Sequence, residues 1–214
     1  MTPANARPLE RIGDDFRVPP PGPLPPALGR QIGLILQAGV RRRFQTATDP
    51  FGRPWPALRR PRPQGGTHPL LNTGVLRNSY QPRVEADGAS IGSVLPQARL
   101  HNFGGVIVPR RAKALSIPLT PEAVRAGSPR RFPRRLQMRP VKRGNVVGVL
   151  YERDRRGGRA ARVVEHYLLV KSVTVPQRQV LGSGPDELRL IDQVAAEFGY
   201  RLAPAPADVR VQDA

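Results

Sequence analysis

Three histidines, an aspartate pair and a Gly-Ser-Gly triplet are the residues whose types could support catalysis or bind a metal. The histidines are His68, His101 and His166, and neither a His-x-x-x-His pair nor a His/Asp cluster joins them. The dipeptide that His101 forms with Asn102 would fit a nuclease fragment, but a metal nuclease needs further ligands and a base. Nothing else in the chain supplies them, so we interpret His101 as a hydrogen-bonded structural residue.

The aspartates, the Gly-Ser-Gly triplet and the serines give weaker signals. Asp14 and Asp15 lie in a loose proline-rich arm and make a poor metal site. The triplet at 182–184 lacks the strand, helix and lysine of a phosphate-binding loop. No partner base accompanies the serines at positions 79, 116 and 128 in a recognisable motif. The sequence therefore predicts a protein that is not an enzyme and that uses neither a metal nor a cofactor.

The charge of the chain is its most unusual bulk property. Its 214 residues include 35 lysines and arginines against 16 aspartates and glutamates, a net charge of +19, and only three of the basic residues are lysines. Arginine favours bidentate contacts with phosphate and carboxylate groups, so the composition predicts contact with nucleic acid or with acidic protein surfaces. A GC-rich genome, which raises arginine, proline and alanine together, would give the same composition without such a partner.

The absence of cysteine and the lack of long apolar runs exclude several classes of protein. The absence of cysteine excludes disulfides and thiolate metal sites and fits folding in a reducing cytosol. No apolar run approaches the roughly 20 residues of a membrane span, and residues 1–26 lack the apolar core of a secretory signal. With 26 prolines and 21 glycines, the chain is expected to surround a modest core with long irregular segments.

Helical periodicity is clear at two places. Apolar residues recur at three-and-four spacing over 27–47, which predicts an amphipathic helix whose last turn places the arginines at 41–43 near the negative end of the helix dipole. A second helix is predicted over 185–198, with Pro185 at its first position and Gly199 as its stop. Between them, Trp55 is expected to anchor the loop 49–58 on the core.

The stretch 70–108 contains three local signals. Thr73 is expected to cap a short helix that continues through Tyr80. The dipeptide Asp87-Gly88 lies between two short alternating runs and predicts a hairpin turn. A helix is then predicted over 96–103, ended by the glycines at 104 and 105.

Strand signals follow, and they decide the fold class. Strands are predicted over 114–119, where Pro118 requires an edge position, and over 145–151 and 166–175. A basic loop is predicted over 122–140, and an exposed hairpin tip over 152–162. The elements together predict an α+β fold in which an N-terminal and a C-terminal helix pack on an antiparallel sheet with long basic loops.

The same signals predict the domain organisation. We expect a Pro-rich extended arm over 1–26, a single α+β domain over 27–200 and a flexible tail over 201–214. Within the domain, residues 109–175 form a β-rich region with basic loops. The arm is either a disordered tail or a segment that lies along a neighbouring subunit.

Five short segments follow one another in the chain: RRFQ (42–45), DPFGRPWPAL (49–58), LNTGVLRNS (71–79), ARLHNFGG (98–105) and PQRQVLG (176–182). In this order they resemble the phage virion morphogenesis (tail completion) family of Mu-like and related tailed phages, over about residues 27–200. The matching residues expected to build a shared scaffold are Trp55, Thr73, Gly74, Leu76, Ser79, His101, Phe103, Gly104, Gly105, Pro176, Arg178, Leu181 and Gly182.

The resemblance implies a structural protein of the virion, located at the neck or the head-proximal end of the tail and assembled in the cytoplasm of the bacterial host. It implies a tail-completion, tail-terminator or head–tail joining subunit that forms a homo-oligomeric ring, for example a hexamer. Connector, neck and tail-tube proteins would be its partners, with packaged DNA nearby and no membrane. A minor tail-tube or baseplate component would show the same segments.

The basic loops over 125–139 and 153–162 are the expected contacts with those partners, through Arg130, Arg131, Arg134, Arg135, Arg155 and Arg156. DNA in a channel must slide, and dense arginine would bind it too strongly, so we expect most arginines to face protein or solvent. The alternative is a basic nucleic-acid-binding protein of ribosomal or nucleoid type. The aromatic content of 5% and the lack of an RNA-binding motif count against it.

Overall fold

The computed structural model describes residues 7–12, 15–17, 23–58, 62–63, 66–86, 88–154 and 162–202. Their helices and strands confirm the predicted α+β class. The chain divides into two compact units, each described below by itself. The first unit comprises residues 1–56, 69–103 and 177–214, and the second comprises residues 57–68 and 104–176.

The helices are α1 (Pro26–Thr46), α2 (Val75–Asn78), α3 (Pro96–Phe103), α4 (Pro121–Ala126) and α5 (Pro185–Glu197), with a 3₁₀ turn over Pro129–Arg131. The strands are β1 (Arg7–Ile12), β2 (Asp15–Arg17), β3 (Tyr80–Glu85), β4 (Gly88–Ser93), β5 (Gly105–Ile107), β6 (Leu115–Pro118), β7 (Gln137–Arg143), β8 (Val146–Asp154), β9 (Arg162–Val170), β10 (Val173–Val175) and β11 (Tyr200–Leu202).

Helix α1 is the centre of the first unit, and its predicted position is confirmed. Pro26 suits the first turn because the amide that proline lacks would have no helical acceptor there. The buried face lies against β3, β4 and α5 and consists of Leu28, Ile32, Leu36, Val40 and Phe44. Burial of each larger side chain contributes about 1.5–3 kcal/mol, so this face is the main source of stability in the unit.

The sheet of the first unit has the strand order β11-β1-β2-β4-β3. Its pairs are antiparallel except for β1 with β11, which run parallel. The predicted hairpin is confirmed, since β3 and β4 pair with Glu85 opposite Gly88. Asp87 of that turn lies outside the described residues.

The segments predicted as an N-terminal arm and a C-terminal tail meet within the described residues. Strand β1 of the predicted arm pairs with β2 and with β11. The described parts of the arm and of the tail are therefore extended, and they are strands of the sheet of the first unit. The physical reason is that an extended segment gains ladder hydrogen bonds when it joins a sheet. The rest of the predicted arm (1–6, 13–14 and 18–22) and the tail beyond 202 lie outside the described residues.

Helix α5 also follows its sequence signals. It starts at Pro185, and the side chain of Glu187 accepts a hydrogen bond from the amide of Gly184, as in a capping box. Gly199 follows the helix with φ 75°, the left-handed conformation expected of a residue that ends a helix. Ile191 and Ala195 are fully buried in the core of the first unit.

The second unit contains a four-stranded antiparallel sheet of order β6-β9-β8-β7 and a separate antiparallel pair of β5 with β10. Strand β6 is an edge strand, as its Pro118 requires. The predicted strand over 166–175 is divided into β9 and β10. The break lies where the Asn145 side chain accepts a hydrogen bond from the amide of Ser172 at 3.0 Å and donates to its carbonyl.

The prediction of a basic loop over 122–140 is wrong. This stretch forms α4, the 3₁₀ turn and the start of β7. Thr120 caps α4 by accepting a hydrogen bond from the amide of Ala123 at 3.2 Å, and Gly127 ends the helix with φ 72°. Ala123, Phe132 and Tyr167 form a small core under these elements.

Candidate functional site at the motif segments

Four of the five motif segments meet in the first unit around the irregular stretch 177–184. We call this meeting place the motif junction; it consists of the end of α1, the loop 49–56, the end of α3, residues 177–184 and the start of α5. The main-chain amide of Arg178 donates to the carbonyl of His101 at 2.7 Å. The distant segments 98–105 and 176–182 are therefore brought together by direct hydrogen bonds.

Asn102 is the main polar anchor of the junction. Its Oδ1 atom accepts hydrogen bonds from the amides of Val180 at 2.9 Å and Leu181 at 2.8 Å. Asn102 is 4% exposed, and Val180 is fully buried. Because 177–184 is neither helix nor strand, these side-chain bonds replace the ladder partners that its amides would otherwise need.

Trp55 and Arg178 connect the loop 49–58 to the same stretch. The Nε1 atom of Trp55 donates to the carbonyl of Gln179 at 3.0 Å, and the Nε atom of Arg178 donates to the carbonyl of Pro56 at 2.9 Å. The Trp55 ring lies edge-on to Phe44, with 5.7 Å between centroids. The sequence-based assignment of Trp55 as a loop anchor is confirmed.

A buried ion pair links α1, residues 177–184 and α5. The guanidinium of Arg43 donates to the carbonyl of Val180 at 2.9 Å and lies 3.2 Å from the carboxylate of Glu187. Both residues are 3% exposed, and the other oxygen of Glu187 accepts the amide of Gly184 at 2.9 Å. Arg43 lies in the last turn of α1, as predicted, but its position three residues after Val40 is on the apolar side of the helix, so its side chain is buried.

The glycines at 182 and 184 let this backbone approach the loop at Pro50. Gly182 has φ 126°, and a Cβ atom on Gly184 would lie 2.0 Å from the carbonyl oxygen of Pro50. Since that neighbour is backbone, a side chain at Gly184 requires movement of the main chain. The glycines of the triplet therefore serve close packing between backbones.

Replacement of Gly184 by alanine is expected to destabilise the first unit by about 1–3 kcal/mol, the range of overpacked sites. The matched control is Gly92→Ala, because a Cβ atom there has nothing within 4 Å. Thermal unfolding followed by circular dichroism compares the two variants. Equal unfolding temperatures would contradict the close approach at Gly184.

The segment 71–79 lies on α2 and the entry to β3. Gly74, with φ 78°, is the residue before the helix, and Thr73 Oγ1 receives only a long contact of 3.5 Å from the amide of Val75. The predicted cap at Thr73 is therefore displaced by one residue. The helix also ends before Tyr80, which enters β3 with its ring buried near Phe44, at 6.0 Å between centroids.

The other motif residues of this segment have packing roles. Leu76 is half-buried and packs against the main core. Ser79 Oγ donates to the carbonyl of Leu76 at 2.7 Å and lies 2.7 Å from Ser93 Oγ. These contacts attach α2 to the start of β3 and the end of β4.

His101 contributes to the junction mainly through its backbone. Its carbonyl accepts the amide of Arg178, whereas its Nδ1 atom is buried and lacks a hydrogen-bond partner among the described residues. The hydrogen bond that this residue forms to Arg178 is therefore made by its main chain and not at Nδ1. Burial, followed by the charge of Arg178, lowers the pKa of His101, so the ring is neutral at pH 7.

The helix that carries His101 ends at two glycines, as predicted. Gly104 has φ 74° and Gly105 has φ 154°. Phe103, the last residue of α3, is 66% exposed. Strand β5 begins at Gly105, and each of its residues is exposed.

A second polar cluster lies in the second unit, around His166. Its Nδ1 atom lies 2.9 Å from Thr120 Oγ1 and its Nε2 atom lies 3.3 Å from Glu152. A hydroxyl, an imidazole and a carboxylate in this order match a nucleophile, a base and an orienting acid. However, His166 is 2% exposed, Thr120 caps α4, and Glu152 binds Arg134 at 2.6 Å. The cluster attaches α4 to the sheet.

The predicted partner contacts differ in their surroundings. Arg134 is half-buried and forms ion pairs with Glu122 at 2.5 Å and Glu152 at 2.6 Å, so it is a structural residue. Arg130, Arg131 and Arg135 are exposed. Arg155 and Arg156 lie outside the described residues.

Sequence reasoning missed the buried contacts of Asn102 and Glu187. Asn102 stands inside a motif segment, and Glu187 stands at the third position of α5, where a capping glutamate is expected. Across the described ranges, no group of three or more histidine or acidic side chains is placed to hold a metal ion. None of the described helices is long and apolar enough to cross a membrane.

Comparison with known proteins gives one family match. Residues 23–146 match the phage virion morphogenesis family. No curated protein and no solved structure matches the chain. The match includes α1, the loop with Trp55, the β3–β4 hairpin and α3, and it ends before residues 177–184. Because it spans more than half of the 214 residues, the chain belongs to the phage virion morphogenesis family.

Proposed function

We propose that this protein is a ring-forming structural subunit of the phage neck or head-proximal tail, acting in tail completion or head–tail joining. Family membership supports a role in virion structure and assembly. The proposed action is docking between proteins without catalysis, and the proposed partners are copies of itself and the adjoining connector, neck and tail-tube proteins. The proposed location is the virion, after assembly in the bacterial cytoplasm.

The observation that carries the docking proposal is the exposed apolar strand β5. Val106 is 61% exposed, Ile107 39% and the following Val108 57%. Among the described strands, β5 pairs only with β10, so its other edge has no strand partner in the part of the chain that the structure describes. An open apolar edge is a template for another chain, and native proteins rarely leave one uncovered.

Charge favours a second copy of this chain as the occupant of that edge. Two copies that each carry a net charge of +19 repel one another through their basic surfaces. The ten residues over 100–109 contain no lysine, arginine, aspartate or glutamate. A contact between copies at β5 therefore brings no charged side chains of this stretch together, and a strand that joins a neighbour's sheet in a head-to-tail manner generates a ring when the rotation closes.

The double variant Val106→Glu/Val108→Glu is expected to abolish self-association. Each buried valine contributes about 1.5–3 kcal/mol, so the two changes together raise the dissociation constant by about 100-fold or more. Size-exclusion chromatography with light scattering measures the mass at low and high salt. A ring should appear in negative-stain images of the unchanged protein.

The matched control for this variant is Val94→Glu/Leu190→Glu. These residues are 81% and 50% exposed in the first unit and introduce the same charge. If the control dissociates the oligomer as completely as the β5 variant, the contact is not at β5. If the unchanged protein is monomeric both alone and with purified tails, the ring proposal fails.

The neck position is tested separately in a phage that encodes this chain. Without the protein, heads filled with DNA and separate tails are expected to accumulate in electron micrographs. A plasmid copy of the gene should restore joined particles. Normal joined particles without the protein would contradict the head–tail joining role but leave the self-association result unchanged.

A further inference from the structure

The positive charge is concentrated in one of the two units. The second unit contains 20 of the 35 basic residues and four of the 16 acidic residues, so it carries +16 of the net charge of +19. The first unit holds the other 15 basic and 12 acidic residues and carries only +3. A composition effect of the genome would act on both units alike, so this asymmetry indicates an anionic partner for the second unit.

Three of the four acidic residues in the second unit are already occupied within it. Arg134 binds both Glu122 and Glu152, and Arg139 binds Glu165. Neither arginine is therefore available to an outside anion without loss of these pairs. The other arginines of the stretch 121–135 are therefore the candidates for contact with an outside anion.

We call Arg125, Arg130, Arg131 and Arg135 the basic surface. All four are exposed, and none has an acidic partner among the described residues. They are attached to α4, the 3₁₀ turn and the residues that follow, which pack on the small core of Ala123, Phe132 and Tyr167. The hydroxyl of Tyr167 donates to the carbonyl of Ala123 at 3.0 Å. The backbone that presents the guanidinium groups is therefore ordered before binding, which lowers the entropic cost of binding.

The chemistry of this surface distinguishes a phosphate backbone from a protein. Protein interfaces usually have an apolar or aromatic centre. Over the described residues 121–143, Met138 is the only large hydrophobic side chain that is mostly exposed. Single-stranded nucleic acid requires exposed aromatic faces for stacking, but Phe132 is buried, and the Arg134 guanidinium lies 5.5 Å from its ring centre.

We propose that the basic surface binds the phosphate backbone of duplex DNA. This inference goes beyond the proposed function and does not depend on self-association. Backbone contacts of this kind carry no sequence information, and they allow a protein to slide along DNA. Four exposed arginines therefore provide attachment to DNA without preventing its movement, which revises the sequence-based expectation that dense arginine would hold DNA too strongly.

Fluorescence anisotropy with a labelled 30-base-pair duplex, measured across a salt series, tests the proposal. The logarithm of the binding constant should fall linearly with the logarithm of salt concentration, with a slope of about −0.9 for each phosphate contacted. Replacement of all four arginines by glutamine should reduce the slope by about three to four and weaken binding at least tenfold. Circular dichroism confirms that each variant is folded.

The matched control replaces Arg30, Arg41, Arg83 and Arg99 by glutamine. These four arginines are exposed in the first unit, and the change lowers the net charge of the protein by the same amount. The control should keep nearly the original slope. Equal losses in the two variants would overturn the proposal, because binding would then follow total charge.

Two competitors separate the other classes of partner. Polyglutamate at the same charge concentration should displace the duplex poorly, and a single-stranded oligonucleotide should bind more weakly than the duplex. Equal displacement by polyglutamate would overturn the proposal in favour of an acidic protein. Tighter binding of the single strand would overturn it in favour of stacking on bases.

Discussion

Glu187→Gln is expected to lower the free energy of unfolding of the first unit by about 3–5 kcal/mol, the usual effect of removing one partner from a buried ion pair. The substitution leaves Arg43 charged at 3% exposure, 3.2 Å from a neutral amide. The carboxylate also accepts the amide of Gly184 and the Nη2 atom of Arg42 at 3.0 Å. One change therefore weakens contacts to α1 and to the start of α5 at once.

Urea denaturation followed by tryptophan fluorescence measures this effect. Trp55 is the only tryptophan and belongs to the first unit, so the signal reports the unit that contains Glu187. The control is Asp186→Asn, whose side chain is 55% exposed and binds Arg42 and Arg189 at the surface. Exposed ion pairs contribute about 0–1 kcal/mol, so the control should be nearly neutral.

A double variant separates the buried charge from the lost contacts. Arg43→Met/Glu187→Leu removes both charges, and paired removal is commonly less harmful than the loss of one partner. The double variant should therefore be more stable than Glu187→Gln alone. If Glu187→Gln costs no more than Asp186→Asn, the ion pair contributes little and the account of the junction is wrong.

Asn102→Ala is expected to destabilise the first unit by about 2–6 kcal/mol, an effect comparable with that of Glu187→Gln. The substitution deprives the amides of Val180 and Leu181 of their acceptor in a buried region. Each buried donor left unsatisfied costs about 1–3 kcal/mol. The loss should appear in the same urea experiment.

Hydrogen exchange gives this prediction a local readout. Amides at 180 and 181 should exchange faster in Asn102→Ala, while those in the middle of α1 change only with global stability. Asn145→Ala is the control, since Asn145 also bonds to backbone, at Ser172, but is exposed in the second unit. Unchanged exchange at 180 and 181 would contradict the role of Asn102.

Local patterns predicted the elements with strong periodicity or clear end signals. Helix α1 follows from its apolar spacing, α5 from Pro185 and Gly199, and the β3–β4 hairpin from its turn dipeptide. The order of five short segments also pointed to the family that the comparison identifies over 23–146. These signals are local, because each depends on residues within a few positions of one another.

The stretch 122–140 was mispredicted because its many arginines are typical of a loop and the signals for its short helix were overlooked. Thr120 and Pro121 are a typical helix start and Gly127 a typical end, but they enclose only six helical residues among many arginines. A helix this short is not stable alone. Its order depends on Tyr167, which is 44 residues away in sequence and bonds to Ala123.

The distribution of charge between the two units and the polar contacts of the motif junction could not be predicted from the sequence. The residue list alone established a net charge of +19, but not that +16 of it belongs to one compact unit. It also predicted the two amphipathic helices. The pairs Arg43–Glu187 and Asn102–Val180 join residues 144 and 78 positions apart. No local pattern specifies such pairs, because burial and the alignment of distant backbones determine which polar groups meet.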